Sequence, residues 1–194
     1  MSNRIESDYF TVWAEDADQI GVFTFEDVDW LWREGKALLR SDPISRFGEM
    51  PVLKIAKRNK GYDYIPCGVV DLFSTRIVDL LRGEVCGEFL DFIALSGTMR
   101  MKAPGYMIFH AMDRFEAVDY ERSDLIMWGE AAGGGIEKIR ELYLRWDVIG
   151  ESEVFYLTDA HKLCVSRRIR DRLLGVGAKG FRFTCLDDIA TEYL

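Results

Sequence analysis

The clearest hydrophobic patterning lies in the last quarter of the chain. Glu153–Leu157 reads as a strand, Thr158–Lys162 as a connection and Leu163–Val165 as a strand end. A serine-capped helix over Ser166–Leu174 and a final strand over Gly180–Thr184 follow. The segment has a counterpart 92 positions earlier: Ser74, Arg76, Ile77, Asp79 and Leu81 match Ser166, Arg168, Ile169, Asp171 and Leu173. Gly83 and Gly175, and Phe89 and Phe181, fall at the same offset. Each serine hydroxyl is placed to accept from the free N–H groups of a first helical turn, and Gly83 stands where a helix ends at positive φ. The expected fold class is α+β, mainly antiparallel sheet with a twice-occurring strand–Ser-capped helix–strand module.

The rest of the chain supplies strands. Tyr9–Ala14 is β-branched and aromatic and reads as a first strand, followed by a turn over Glu15–Asp18 and Gly21. Val22–Phe25 and Val52–Ala56 read as short strands, Tyr62–Ile65 as extended chain, and Asp27–Trp32 as a helical turn or loop. Glu88–Leu95 reads as one mostly buried strand, Ser96–Ala103 as a polar bridge, and Tyr106–Met112 with Phe115–Val118 as central sheet. Gly129–Gly135 has the composition of a mobile loop. Ile136–Trp146 fits both periods, with strand favoured over its second half. Residues 187–194 read as a short tail or helix. No composition shift marks a linker, so one domain over 1–194 is expected, with 1–66 readable as an N-terminal lobe and 67–194 as the main body.

Composition narrows the class. Hydrophobic content of 48% with 30% charged residues is that of a globular chain rather than a disordered one. No apolar run is long enough to span a membrane, and the N-terminus lacks a secretory h-region. Cys67, Cys86, Cys164 and Cys185 show no C-x-x-C spacing and read as reduced thiols in or near a core, which points to the cytoplasm. The net charge of −8 is unevenly spread. Residues 5–32 carry eight acids and no Lys or Arg, whereas residues 161–182 carry seven bases against the single acid Asp171. Such clusters are either solvated faces or surfaces for an oppositely charged partner.

Catalytic chemistry finds little support. His110 lies in an apolar strand and reads as a core histidine. Asp159, His161 and Cys164 are close in sequence, but a nucleophilic triad needs spatial contact and Cys164 alternates into the sheet. Asp119, Glu121 and Asp124 lack the glycine and terminal Glu of a calcium loop. Gly129–Gly135 has no Gly-Lys-Ser/Thr end to cradle phosphate. The arginines of 167–172 suit internal pairing better than nucleic acid, given the overall negative charge. No catalytic residue, metal ligand or cofactor is therefore assigned. The strongest hint of a partner is Glu26-Asp27-Val28-Asp29-Trp30-Leu31-Trp32, where acids flank large aromatics. Asp16, Asp18, Asp27 and Asp29 are candidates to steer a partner, and Trp30 and Trp32 to anchor it. The opposing reading is that both Trp are core with an acidic rim.

Three blocks carry a family resemblance: Tyr106–Met112 followed by Asp119-x-x-x-Ser123; Val165-Ser166, its helix and Gly180-Phe181-Arg182-Phe183; and Trp30-Leu31-Trp32-x-x-Gly35. Their order resembles immunity protein family eleven of bacterial polymorphic toxin systems, formerly a domain of unknown function. The resemblance covers most of residues 20–184 and rests on order rather than on one diagnostic motif. It implies a cytoplasmic, non-enzymatic antidote that binds and neutralises a cognate toxin domain, with no membrane or nucleic-acid partner and no catalytic residues to carry over. The alternatives are a small-molecule-binding protein or hydrolase with a pocket in the sheet, and an adaptor that self-associates through a sheet edge.

Overall fold

Alternation of apolar and polar residues builds the chain into strands, as a computed structural model displays for residues 8–26, 50–67, 70–102, 105–129 and 136–186. In chain order these are β1 (Tyr9–Ala14), β2 (Phe23–Phe25), β3 (Val52–Ile55), β4 (Tyr64–Cys67) and β5 (Val70–Ser74). Helix α1 (Thr75–Leu81) is followed by β6 (Gly87–Leu90), β7 (Ile93–Ser96), β8 (Met99–Lys102), β9 (Tyr106–Ala111) and β10 (Arg114–Phe115). Next come β11 (Asp124–Met127), β12 (Ile136–Glu141), α2 (Trp146–Ile149), β13 (Val154–Leu157), β14 (Lys162–Ser166), α3 (Arg167–Gly175) and β15 (Phe181–Cys185).

Among the described residues four sheets result, with orders β10-β13-β14-β1-β15, β4-β5-β9-β6, β2-β3-β7-β8 and β11-β12. Pairing is antiparallel apart from β10 with β13 and β3 with β7. The α+β class and the dominance of antiparallel sheet are as expected. Pro66 sits in β4, an edge strand, where its missing N–H removes no ladder bond.

The sheets stack through three apolar cores. The central core holds Phe10, Val12, Val165 and Phe181 of the five-stranded sheet and Tyr64, Phe73 and Phe109 of the β4–β5–β9–β6 sheet. Ile77, Val78 and Leu81 of α1 and Ile169 and Leu173 of α3 complete it. Both amphipathic helices thus bury their apolar faces in one layer. Tyr64 stacks on Phe181 at 5.1 Å, and Phe73 on Phe109 at 5.1 Å. The far face of the five-stranded sheet packs Tyr9, Phe155, Leu157 and Cys164 against Ile136, Ile139 and Leu144. The far face of the other packs Ile65, Leu72 and Ile108 against Val22, Leu53, Phe92 and Ala94.

Several local expectations change. Glu88–Leu95 is two strands in different sheets: β6 pairs with β9, β7 pairs with β3, and the fully buried Phe92 marks the crossover. Ser96–Ala103 contains β8, which returns on β7 in a hairpin whose Gly97 has φ 58°. Ile136–Trp146 is strand in its first half, because Ile136 and Ile139 pair with β11, while Trp146 opens α2. Phe115–Val118 gives only the end of β10 and a single bridge from Val118 to Leu144. Cys86 is exposed rather than core. The Gly133–Gly135 loop and residues 187–194 lie outside the described residues.

The two serines also part company. Ser166 caps α3, its Oγ accepting from Ile169 N at 3.3 Å. Ser74 precedes α1 with extended backbone but makes no cap bond; its hydroxyl donates to Asp63 Oδ1 at 2.6 Å instead. That carboxylate is a junction. It accepts from Arg76 Nε at 2.7 Å and Lys179 N at 2.8 Å, while Arg76 also donates to the carbonyls of Val176 and Gly177 beyond α3. Gly83 ends α1 at φ 80°, as expected. Nearby, Gln19 is buried and its Nε2 donates to Tyr64 O and Gly180 O, both at 2.7 Å. A Cβ on Gly180, which has φ 89°, would lie 2.5 Å from that Nε2.

Burial alone would raise the Asp63 carboxyl, but the hydrogen bonds from Arg76, Ser74 and the Lys179 amide outweigh it and hold the pKa below the usual carboxylate range. A lowered folded-state pKa contributes stability above the ordinary carboxylate value, lost as pH falls through the folded one. Chemical denaturation from neutral into acid pH should therefore show Asp63→Asn less stable at neutrality and with a shallower acid loss than wild type; equal slopes would contradict the junction. Ser166→Ala should cost about 0.5–2 kcal/mol through its cap, read as a lower denaturation midpoint.

Candidate functional site

A cleft of about 650 Å³ opens where the end of the five-stranded sheet faces β2 and β4. Its basic wall follows from strand register. β1 runs antiparallel to β14 with Thr11 opposite Cys164, and to β15 with Trp13 opposite Arg182. Alternation then brings Lys162 beside Trp13. The Lys162 Nζ lies 3.5 Å from the Trp13 ring centre, and the Arg182 guanidinium 5.7 Å from the same ring. Phe23, Phe25 and Pro66 line the cleft as apolar surface. Burial brings the Lys162 pKa down to about 8, against the opposing pull of Cys164 and Asp71.

Asp71 of β5 lines the same cleft and accepts from the Tyr64 hydroxyl at 2.7 Å. Burial raises its pKa, and the Tyr64 hydrogen bond with the fields of Arg114 and Lys162 only partly offsets this. Asp71, Tyr156 and Leu163 also border a water-sized cavity whose other walls include His110 and Arg114. The Arg114 guanidinium lies 4.2 Å from the Tyr156 ring centre, and its buried Nε has no hydrogen-bond partner among the described residues. Desolvation lowers its pKa. Sequence reading missed this constellation. Lys162 and Trp13 are far apart in the chain, and only the alternating pattern of each strand hinted that they share a face.

The sequence-predicted residues fall elsewhere. Asp16 caps the 3₁₀ turn Ala17–Gln19, its Oδ1 accepting from Asp18 N at 2.9 Å and its Oδ2 from the Tyr62 hydroxyl at 2.7 Å. The Asp18 amide bond, then the Tyr62 bond, hold its carboxyl below its ordinary value. Asp18 is an exposed partner of Lys60. Neither acid meets the arginine-rich helix. Asp27, Asp29, Trp30 and Trp32 lie outside the described residues.

That helix is occupied within the chain: Arg168 pairs with Glu84 and Glu153, Arg172 with Glu84, and Arg167 with Asp8. Arg170 pairs with Asp171 and lies over the Phe10 ring at 3.9 Å. Nor do the triad candidates assemble. Cys164 is fully buried with its Sγ 3.8 Å from Lys162 O, and burial pushes its thiol well up. His161 is exposed at φ 51°, and Asp159 accepts from Val118 N at 3.0 Å. Asp119 accepts from Arg122 N, and Asp124 pairs with Arg140 at 3.8 Å. Among the described residues no group of three or more His, Cys, Asp or Glu is placed to hold a metal.

The family model described as "Immunity protein family (Imm11)" matches residues 15–188. No curated protein matches the chain in sequence.

The thiols give a direct check on the buried chemistry. Burial pushes the Cys67 thiol up to about 12 and Cys164 higher still, whereas Cys86 is exposed. A chromogenic disulfide reagent should modify Cys86 first in the native protein, and Cys67 and Cys164 only on unfolding. Rapid native modification of Cys164 would contradict the placement.

Proposed function

The chain belongs to the Imm11 immunity protein family, and on that premise we propose that it is a cytoplasmic protein that binds and neutralises a cognate bacterial toxin domain without catalysis. The observation that carries this reading is the family match, which spans residues 15–188 of 194. Immunity families are generally non-enzymatic, and the full burial of Cys164, which pushes its thiol well up, fits binding rather than turnover. Four free cysteines suit a reducing compartment, and no helix among the described residues is long and apolar enough to cross a membrane.

Two finer points belong to the same proposal. The chain is one domain, and its two helix-bearing sheets are copies of one unit. Support for the second lies in the orders β4-β5-β9-β6 and β13-β14-β1-β15, in which a hairpin leads to a serine, a helix and a last strand. β5 and β14, and the starts of α1 and α3, coincide at the 92-residue offset seen in the sequence.

The acids of the N-terminal segment are the proposed steering surface, with Trp30 and Trp32 as anchors. A toxin that attacks nucleic acid is typically basic, so an acidic antidote gains association rate from long-range attraction. Asp18, Asp27 and Asp29 test this best, because reversing Asp16 would also remove the cap and the Tyr62 bond. Against the cognate toxin domain, the triple Asp→Lys variant should lower the on-rate and flatten its salt dependence. Trp30→Ala or Trp32→Ala should mainly raise the off-rate. An unchanged on-rate in the triple variant would assign binding to another face.

A further inference from the structure

The cleft beside Trp13 holds a cation with no ion-pair partner among the described residues. In a chain with 33 acids and 25 bases, carboxylate partners are plentiful. Arg167, Arg168, Arg170 and Arg172 each have one. Lys162 does not: its ammonium is partly withdrawn from water, rests on an indole face, and forms no ion pair among the described residues. A cation so placed costs stability unless something supplies the countercharge. Arg182 stands at the same ring. Asp71, the one carboxyl among the lining residues, is already engaged by Tyr64, and burial disfavours its charged form.

Much of the remaining lining is apolar or aromatic, with Val12, Phe23, Phe25 and Pro66 prominent. A cleft of about 650 Å³ is in the size range that encloses a small organic molecule, and the mixture of apolar surface with a few convergent polar groups is typical of such sites. The walls come from β1, β2, β4, β5, β13, β14 and β15.

We propose that this cleft binds a small organic anion, its acidic head on Lys162 and its apolar ring against Trp13 and Phe23. The head is a carboxylate, sulfonate or phosphate, groups that share the chemistry of a charge-assisted hydrogen bond to an ammonium. The site is independent of the toxin-binding reading, so either can fail without the other.

The test uses the full chain and the fluorescent anion 8-anilinonaphthalene-1-sulfonate. Wild type should bind it at one saturable site. Lys162→Met should weaken binding by about tenfold or more, as loss of a charge-assisted contact does, and Lys162→Arg should restore most of it. The uncharged analogue N-phenyl-1-naphthylamine should bind wild type about tenfold more weakly than the sulfonate.

Should Lys162→Met fail to fold, the analogue comparison and the pH profile of wild type decide. Lys162 is charged below its pKa of about 8, so sulfonate binding should be present at lower pH and fall as pH rises through that value, displaced upward by the bound anion. Among the described residues the other ionisable groups facing the site are Asp71, Tyr64 and Cys67 on one side and Tyr156, His161, Cys164 and Arg182 on the other. Burial pushes the two phenols and two thiols up and away from that range. No saturable binding, equal affinity of the uncharged analogue, undiminished binding by a folded Lys162→Met, or a pH-independent affinity would each overturn the proposal.

Discussion

A single carboxylate, that of Asp63, fixes how the two helix-bearing sheets meet. It gathers Ser74 at the end of β5, Arg76 in the first turn of α1 and the Lys179 amide before β15. Its own backbone N–H donates to Lys179 O, and its carbonyl accepts from Ser74 N, each at 2.8 Å. An exposed ion pair contributes about 0–1 kcal/mol, whereas a buried carboxylate stripped of its donors costs several. Asp63 is 4% exposed, so it is of the second kind on its own side even though Arg76 reaches solvent. Gln19 ties the same place from the 3₁₀ turn after β1, bonding Tyr64 and Gly180 together. These links set the separation between Tyr64 and Asp71 on one sheet and Lys162 and Arg182 on the other. The cleft is a consequence of that junction.

Much of this was legible in the chain. Tyr9–Ala14 was readable as a strand to its ends because its residues alternate between two buried layers, Tyr9 on one side and Phe10 and Val12 on the other. The helices at Ser74 and Ser166 were readable from their serines and 3.6-residue apolar spacing. The partner of Ser74 was not, since a hydroxyl that can cap can equally donate to a carboxylate eleven residues away. Glu88–Leu95 looked like one strand because both sheets demand buried apolar residues there, and no local signal reports that the chain changes sheet at Phe92. The acidic and basic segments were visible as composition, but their bonds were not. The bases of α3 pair at the surface with Glu84, Glu153 and Asp8, which sequence distance conceals.

Charge is therefore distributed by use. Most basic side chains near α3 are consumed in tying that helix to its surroundings, which leaves their neighbour Lys162 to face an aromatic cleft. Asp16 and Asp18 remain at the surface, one shaping the turn after β1 and one paired with Lys60. The proposed acidic surface would act through long-range attraction, over roughly a Debye length, about 8–10 Å at physiological salt, and the proposed basic cleft at contact.

The central claim is neutralisation by binding alone, and residual toxin activity measured against the molar ratio of the two proteins tests it most directly. A stoichiometric antidote predicts a linear fall to zero at a fixed ratio, with unmodified and fully active toxin recovered once the complex is dissociated. Loss of toxin activity at catalytic amounts of this protein, with a covalently altered toxin recovered, would contradict it.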